Sequence, residues 1–249
     1  MLNMRDKIKP HYIINPEKED KGVLLWLNLT ASHFGELFFA NIIALLCLCP
    51  AGIFLILFAN SLSLQFQLIS AVLFALAGPA LTLFFGTVCR VSLRQPVWIW
   101  EDAKSILKND LLKSFALGGI CAVLWSVIID AAYLMYSADG GATPVMLVFT
   151  AVYAYLAAGF TMFAFQQLAM LDISFANVLK NGVLLIFAGG IRSFLAIVVP
   201  VAVIAVLAYF YGIGSIAAIG GIPAWIFMSG SCIFAPVFRR IFMENSADE

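Results

Sequence analysis

The sequence predicts an all-α membrane protein, a bundle of six transmembrane helices with amphipathic connecting helices on the cytoplasmic side. Three observations support this fold: an apolar composition, the number of long apolar stretches, and the placement of the basic residues. Of the 249 residues, 63% are hydrophobic and only 11% are Asp, Glu, Lys or Arg, with a mean hydropathy of +1.01. An average soluble domain carries roughly 25% charged residues. A protein in a bilayer does not need this many charged residues at its surface, because lipid solvates the apolar faces of the helices.

Six stretches are long enough to cross a bilayer, which takes roughly 20 apolar residues in a helix. We expect one membrane domain over 34–237, preceded by a cytoplasmic segment with an interfacial helix (1–33) and followed by a cytoplasmic tail (238–249). The predicted spans are Phe34–Phe58, Phe66–Val88, Ser114–Tyr136, Pro144–Phe165, Gly189–Tyr211 and Gly214–Val237.

The 14 Lys and Arg residues are confined to alternate connections. They lie in the N-terminal segment, between the second and third spans, between the fourth span and the start of the fifth, and in the tail. None lies in the short loops 60–65, 137–143 and 212–213. Under the positive-inside rule, this places both termini in the cytoplasm. The formal net charge of zero argues against a nucleic-acid partner, which would require a basic surplus.

Two connections on the basic side are predicted to be helical. In Pro96–Lys113, apolar residues recur at steps of three and four, which is typical of an amphipathic helix at an interface or against a partner. Asp172 or Ser174 is placed to cap a second, short helix that ends near Asn181. The apolar segment Gly22–Ser32 is too short to span and predicts an interfacial or re-entrant helix.

In the first connection, Pro96–Lys113, the candidate partner-binding residues are Trp100, Glu101, Asp102, Lys108 and Asn109. The alternative is that these residues only anchor the connection to lipid and to each other.

An internal similarity indicates a parallel two-helix repeat. Leu107-Lys108-Asn109 matches Leu179-Lys180-Asn181, and Phe115-Ala116 matches Phe187-Ala188 at the same offset. The repeated unit is a helix running inward, a cytoplasmic connection and a helix running outward, so the copies are related by an axis along the membrane normal. A third unit, pairing the last span with the first, would extend this to a pseudo-threefold ring. Coincidence among biased apolar sequence is the alternative.

Polar residues within the predicted spans are functional candidates, because ionising a side chain in lipid is costly. Glu36, Asn41 and Asp130 are these intramembrane candidates, although Glu36 and Asp130 lie close enough to span ends to reach the interface. Four residues are expected to kink helices, either to build a site at the membrane midplane or merely to fit the packing. They are Pro50, Gly78, Pro79 and Pro200.

Sequence signatures of an enzyme, a metal site and a cofactor site are missing. There is no His-Glu-x-x-His pattern for zinc and no Gly-rich Lys loop for phosphate. The two histidines lie outside the deep apolar segments, which leaves no serine–histidine pair for hydrolysis within the bilayer. The five cysteines are an odd number and lie in or beside apolar segments, which argues against a disulfide framework. We therefore expect no enzymatic activity, no metal and no cofactor.

Several short motifs resemble the YesL-like family of bacterial membrane proteins, a group defined as a domain of unknown function. The similarity lies in His33-Phe-Gly-Glu-Leu-Phe-Phe-Ala-Asn41 through Leu48-Cys-Pro50, in Ala77-Gly-Pro-Ala80 with Arg90, and in Trp98-Ile-Trp-Glu-Asp102. Ala103 departs from the family, which usually has Phe there. The resemblance implies a six-helix bundle in a bacterial plasma membrane and an association with polysaccharide breakdown and sugar import by ABC transporters. It implies no known activity or catalytic residue.

Two functional hypotheses follow. The first is an accessory or regulatory component of a bacterial carbohydrate uptake system, whose partners are membrane lipids and a sugar ABC transporter or another membrane subunit. The alternative is a small transporter or ABC permease-like subunit, suggested by the repeat and the interrupted helices. A scaffold without a ligand is a weaker third interpretation.

Overall fold

The computed structural model describes residues 22–58, 64–137, 143–209 and 222–242, and these residues fold almost entirely into helices. The predicted N-terminal segment up to residue 21, the first part of the sixth span and the tail after residue 242 lie outside the described residues. The helices in chain order are α1 (Gly22–Ser32), α2 (Phe34–Phe58), α3 (Leu64–Leu76), α4 (Gly78–Ser92), α5 (Ile99–Ser105), α6 (Leu111–Ser137), α7 (Pro144–Met170), α8 (Phe175–Ala188), α9 (Ile191–Tyr209) and α10 (Ile222–Phe242).

The predicted all-α membrane bundle is confirmed. Four helices of the described residues are long and apolar enough to cross a membrane: α2, the continuous α5–α6 helix, α7 and α10. A fifth span is obtained if α8 and α9, which are bent by 100° relative to each other, are taken as one. The second predicted span is divided between α3 and α4, and the fifth begins at the bend between α8 and α9. The count of six spans stays a prediction.

The break in the second predicted span falls at Ala77, between α3 and α4. Gly78 and Pro79 form the first turn of α4. A proline in the first turn of a helix leaves no hydrogen bond unmade, because the N–H that it lacks would have no partner within the helix there. Pro50 and Pro200 instead lie inside α2 and α9, which continue past them.

Helix α4 is the centre of the bundle. Every residue of α4 except Pro79 is buried, and the helix packs against α2, α6, α7 and α10. The rings of Phe84 and Phe85 meet Phe227 of α10 at centroid distances of 5.9 and 5.2 Å, and Phe85 also stacks on Phe165 of α7 at 5.9 Å. A helix buried on all sides needs no polar face, which agrees with its apolar sequence.

Small residues bring the backbones of neighbouring helices into direct contact. A Cβ added at Gly78 would overlap the Ser114 carbonyl oxygen, and one added at Gly118 would lie 3.0 Å from the Ala75 carbonyl oxygen. The Thr82 hydroxyl donates to Ser114 Oγ at 3.0 Å in the same contact. Interfaces of this kind are typical of membrane helices, where close packing replaces the hydrophobic drive.

The connection after α4 differs from the prediction. A separate amphipathic helix was expected over Pro96–Lys113, but α5 continues into α6 through a π-helical turn at Ile106–Asp110. The segment is thus the first part of a long helix, because nothing in its sequence stops helical hydrogen bonding before the membrane span begins.

Helix α8 is longer than the short helix that the sequence predicts. Its cap is Ser174 rather than Asp172, since Ser174 Oγ accepts from the Asn177 N–H at 3.4 Å. The helix runs past Asn181 to Ala188 and ends at Gly189–Gly190, where Gly190 has a φ of 54°. Glycine adopts this left-handed backbone without a steric penalty.

The two copies of the predicted repeat therefore have different shapes. The first runs straight through Gly118 and Gly119 within α6, whereas the second bends by 100° at Gly189–Gly190. Gly118 is used for close helix contact and Gly190 for the turn. The duplication itself stays a prediction.

We expect Gly78→Ala to destabilise the bundle by about 1–3 kcal/mol, because the new methyl group would overlap the Ser114 backbone. The measurement is the apparent melting temperature of the purified protein in detergent. Gly52→Ala is the matched control, since a Cβ there meets nothing within 4 Å. Equal melting temperatures for the two variants would show that α4 and α6 are not in close backbone contact.

Candidate functional site

Three helices at the centre of the bundle run in the same direction and end together. Phe85 and Gly86 of α4 pair with Phe165 and Ala169 of α7, so the two helices advance in parallel. In the same way, α4 advances along α10, from the contact of Phe84 with Phe227 to that of Leu93 with Arg239. We call the end where these helices finish the basic end. The partial negative charges of three helix C-termini gather there, and cations near them are stabilising.

Arginine side chains bind the carbonyl groups at these C-termini. Arg239 of α10 donates from Nη2 to the Leu93 carbonyl oxygen at 3.0 Å, just after α4 ends. Arg90 of α4 donates from Nη2 to the Ala169 carbonyl oxygen at 3.4 Å, at the end of α7. These carbonyls have no partner within their own helices, so each arginine satisfies a group that the neighbouring helix leaves open.

A third hydrogen bond returns from α7 to α10. Gln166 donates from Nε2 to Ser231 Oγ at 2.7 Å, and both side chains are buried. The three contacts run from α10 to α4, from α4 to α7, and from α7 back to α10. They form a closed ring, and this pattern links the three inner helices side by side.

Arg90 also forms a buried ion pair with Asp102 of α5. Only 4% of the Arg90 side chain and 12% of the Asp102 side chain are exposed. Asp102 further accepts the Trp98 N–H at 3.4 Å, which places its carboxylate at the N-terminus of α5. Breaking a buried pair by removing one partner costs about 3–5 kcal/mol, because the remaining charge loses its compensation. This pair joins the centre of the bundle to the connection that follows α4.

The loop between α4 and α5 begins with the C-terminal cap of α4. Arg94 has a φ of 59°, its N–H donates to the Val91 carbonyl oxygen at 3.0 Å, and the Gln95 N–H donates to the Arg90 carbonyl oxygen at 2.9 Å. A left-handed residue with these two hydrogen bonds is a common helix ending, although glycine usually occupies it. The Gln95 side chain is 2% exposed, and neither polar atom of its amide has a hydrogen-bond partner among the described residues. An unsatisfied buried polar group costs about 1–3 kcal/mol, so this amide is the unfavourable feature of the loop.

The candidate partner-binding residues are not equivalent in the structure. Trp100 is 73% exposed, and Glu101, Lys108 and Asn109 are exposed as well. Asp102 differs, because it turns inward to Arg90. Four of the five predicted residues thus lie on an accessible surface, whereas Asp102 anchors the helix that carries them.

The π-helical turn brings a second acidic residue into the interior. Asp110 is 5% exposed, and its carboxylate accepts from Lys113 Nζ at 3.1 Å. One extra residue in a helical turn shifts the phase of the helix before it relative to the helix after it. The turn therefore allows Asp102 to point at α4 while α6 keeps its own packing face.

The intramembrane candidates differ in exposure. Glu36 is half-exposed and lies 3.9 Å from His33 Nδ1 in the preceding turn. Asn41 is buried within α2, and Asp130 is partly exposed near the far end of α6. Burial therefore distinguishes Asn41 from the two acids.

Sequence reasoning missed the residues that build the buried layer. Arg90 was assigned to a loop, yet it is 3% exposed within α4. Gln166 follows directly after the predicted end of the fourth span and received no role. A polar pair at that position, Gln166-Gln167, was the available signal, although the sequence contains nothing that identifies Ser231 as its partner.

The described residues contain no group of three or more His, Cys, Asp and Glu side chains that could hold a metal ion. All five cysteines fall within them and are free thiols. The arrangement at the basic end is a set of hydrogen bonds and ion pairs between helices, which can position a surface or hold a conformation.

Comparisons with models of protein families, with curated proteins and with solved structures find no match to this chain. The resemblance to the YesL-like family accordingly depends on the short motifs alone.

We expect Arg90→Met to lower the stability of the protein by about 3 kcal/mol or more, because Asp102 and the end of α7 would lose the guanidinium group. Arg240→Met is the control: Arg240 lies at the same end but is exposed. The apparent melting temperature in detergent reports the difference. If both substitutions lower it equally, the Arg90 contacts contribute no more than a surface charge.

Proposed function

We propose that this chain is a membrane protein without enzymatic activity that serves as an accessory or regulatory component of a bacterial carbohydrate uptake system. Its contact with the transporter is made by the exposed face of α5 and the π-helical turn. The single observation that carries this proposal is the contrast within this segment, in which Asp102 is fixed to the core while Trp100 remains exposed.

The exposed face has the composition of a protein-binding surface. Trp98 and Trp100 are 63% and 73% exposed, and Lys104 and Lys108 lie exposed along the same segment. Tryptophan is enriched among the residues that dominate binding energies, and charged residues around it favour one partner over others. An anchored helix also loses little entropy on binding, because its conformation is set in advance.

The link to carbohydrate uptake comes from the resemblance to the YesL-like family. The motif Trp98-Ile-Trp-Glu-Asp102, which carries part of that resemblance, includes both the exposed tryptophan and the aspartate that pairs with Arg90. The motif thus coincides with the segment that the structure presents at the basic end.

We place the basic end at the cytoplasmic face of a bacterial plasma membrane, with both chain termini on that side. The support is the positive-inside rule, since the cations of the described residues cluster near this end. A contact there would be accessible to the ATPase and to the cytoplasmic loops of a transporter.

A permease-like subunit is the second candidate, and the bend of 100° between α8 and α9 is the observation that favours it. Interrupted helices can expose backbone groups that bind a substrate within the membrane. Against it, the acidic candidates Glu36 and Asp130 are both partly exposed rather than enclosed in the bundle.

Co-purification in mild detergent tests the proposed contact. We expect the wild-type chain to recover the permease and ATPase subunits of a sugar ABC importer. Trp100→Ala should weaken the affinity by about 30-fold, the effect of losing a hot spot of about 2 kcal/mol.

Phe149→Ala is the matched control for this experiment, because Phe149 is also a large exposed aromatic residue but lies near the start of α7. Recovery of the wild-type chain without any transporter subunit would refute the proposal. A loss that is equal for Trp100→Ala and Phe149→Ala would place the contact elsewhere.

Reporter fusions test the orientation. Fusions after Lys108 and after Arg240 should both report a cytoplasmic location, and a fusion within the predicted loop 137–143 should report the opposite side. If the reporters after Lys108 and Arg240 lie on opposite faces, the proposed topology is wrong.

A further inference from the structure

We infer that α5 is a latch, closed by the Arg90–Asp102 ion pair and hinged at the π-helical turn, which regulates how the docking face around Trp100 is presented. This inference depends on the proposed function only for the partner that the face receives. The closed and open states themselves are properties of this chain alone.

Helix α5 has little apolar packing to hold it. None of its seven residues is buried, whereas all but one of the fifteen residues of α4 are. The buried contact that α5 makes with the centre of the bundle is therefore a charged one, through Asp102. A helix that buries little of its own apolar surface is a segment of low local stability and can open by itself.

One buried group in the loop before α5 favours opening. In the closed state, neither polar atom of the Gln95 side-chain amide has a hydrogen-bond partner among the described residues. Movement of α5 away from α4 would hydrate this amide, while the left-handed Arg94 stays in the cap of α4. The closed state thus persists because the ion pair offsets the cost of the unsatisfied amide.

The π-helical turn supplies the hinge. Its first and last residues, Ile106 and Asp110, are buried, and the Lys113–Asp110 pair links the turn to the first turn of α6. Conversion of the π turn to regular α-helix would rotate α5 by about 100° relative to α6, the angle of one residue. Such a rotation moves Asp102 away from Arg90 and carries Trp100 to a new position.

The two states differ in which groups face the partner. In the closed state, Trp100 and Lys104 are displayed on a helix that is fixed to the bundle. In the open state, the same residues move with α5, and Arg90 loses the carboxylate of Asp102. A partner that binds only one of these arrangements shifts the equilibrium toward it.

Hydrogen–deuterium exchange of the purified full chain in lipid nanodiscs tests the latch. Asp102→Asn removes the charge but keeps an oxygen that can accept the Trp98 N–H, so the cap of α5 is retained. We expect amide exchange in 95–110 to become faster by on the order of tenfold, and by more than in α7, where the uncompensated Arg90 charge acts only through the stability of the whole bundle. Glu101→Gln is the matched control, because Glu101 is an exposed acid in the same turn; its exchange should equal that of the wild type.

Two results would overturn the inference. If Asp102→Asn exchanges at the wild-type rate, the ion pair does not hold α5. If exchange rises equally in α7 and α10, the pair supports the whole bundle and α5 does not open by itself. Because no partner is present, these results are independent of the co-purification, which tests the proposed function separately.

Discussion

The guanidinium group of Arg90 joins three helices of this structure through polar contacts. It lies in the most deeply buried helix, binds the end of α7 through the Ala169 carbonyl and pairs with Asp102 of α5. A charge buried in a membrane protein is tolerated only where it is compensated. The carbonyl ends of parallel helices and a carboxylate provide that compensation, so the position of Arg90 constrains α4, α5 and α7 together.

The parallel arrangement of α4, α7 and α10 explains why such a layer is needed. Three helix dipoles that point the same way place partial negative charges close together at one end. Arg90 and Arg239 lie at that end and donate to the carbonyls of neighbouring helices. The hydrogen bond from Gln166 to Ser231 completes the ring without adding charge. The inner helices are thus locked by polar contacts at the basic end and by phenylalanine packing deeper in the bundle.

Composition and spacing were sufficient to predict the helical membrane fold, because lipid imposes the same length and apolarity on every spanning helix. The first predicted span, Phe34–Phe58, coincides with α2. The break at Ala77 was indicated by Gly78-Pro79, whereas the π-helical turn was not, since it depends on where Asp102 meets α4. Likewise, nothing local distinguishes Arg90, which is buried, from Arg240, which is exposed. Burial of a cation is decided by the helices around it, and a single sequence does not reveal them.

Buried and exposed cations contribute differently to the topology and the packing of the helices. The positive-inside rule counts every Lys and Arg near a helix end as equivalent. Here, Arg90 is buried in an ion pair with Asp102, and Arg239 donates to the carbonyl group at the end of α4. Lys104 and Lys108 remain exposed. The interior cations hold the helices in register, and the exposed ones give the surface of α5 its charge. Asp102 belongs to the same short helix as Trp100, so one helix carries both the ion pair to α4 and the exposed tryptophan. The segment Trp98–Asp110 therefore links the surface of the protein to its most buried helix.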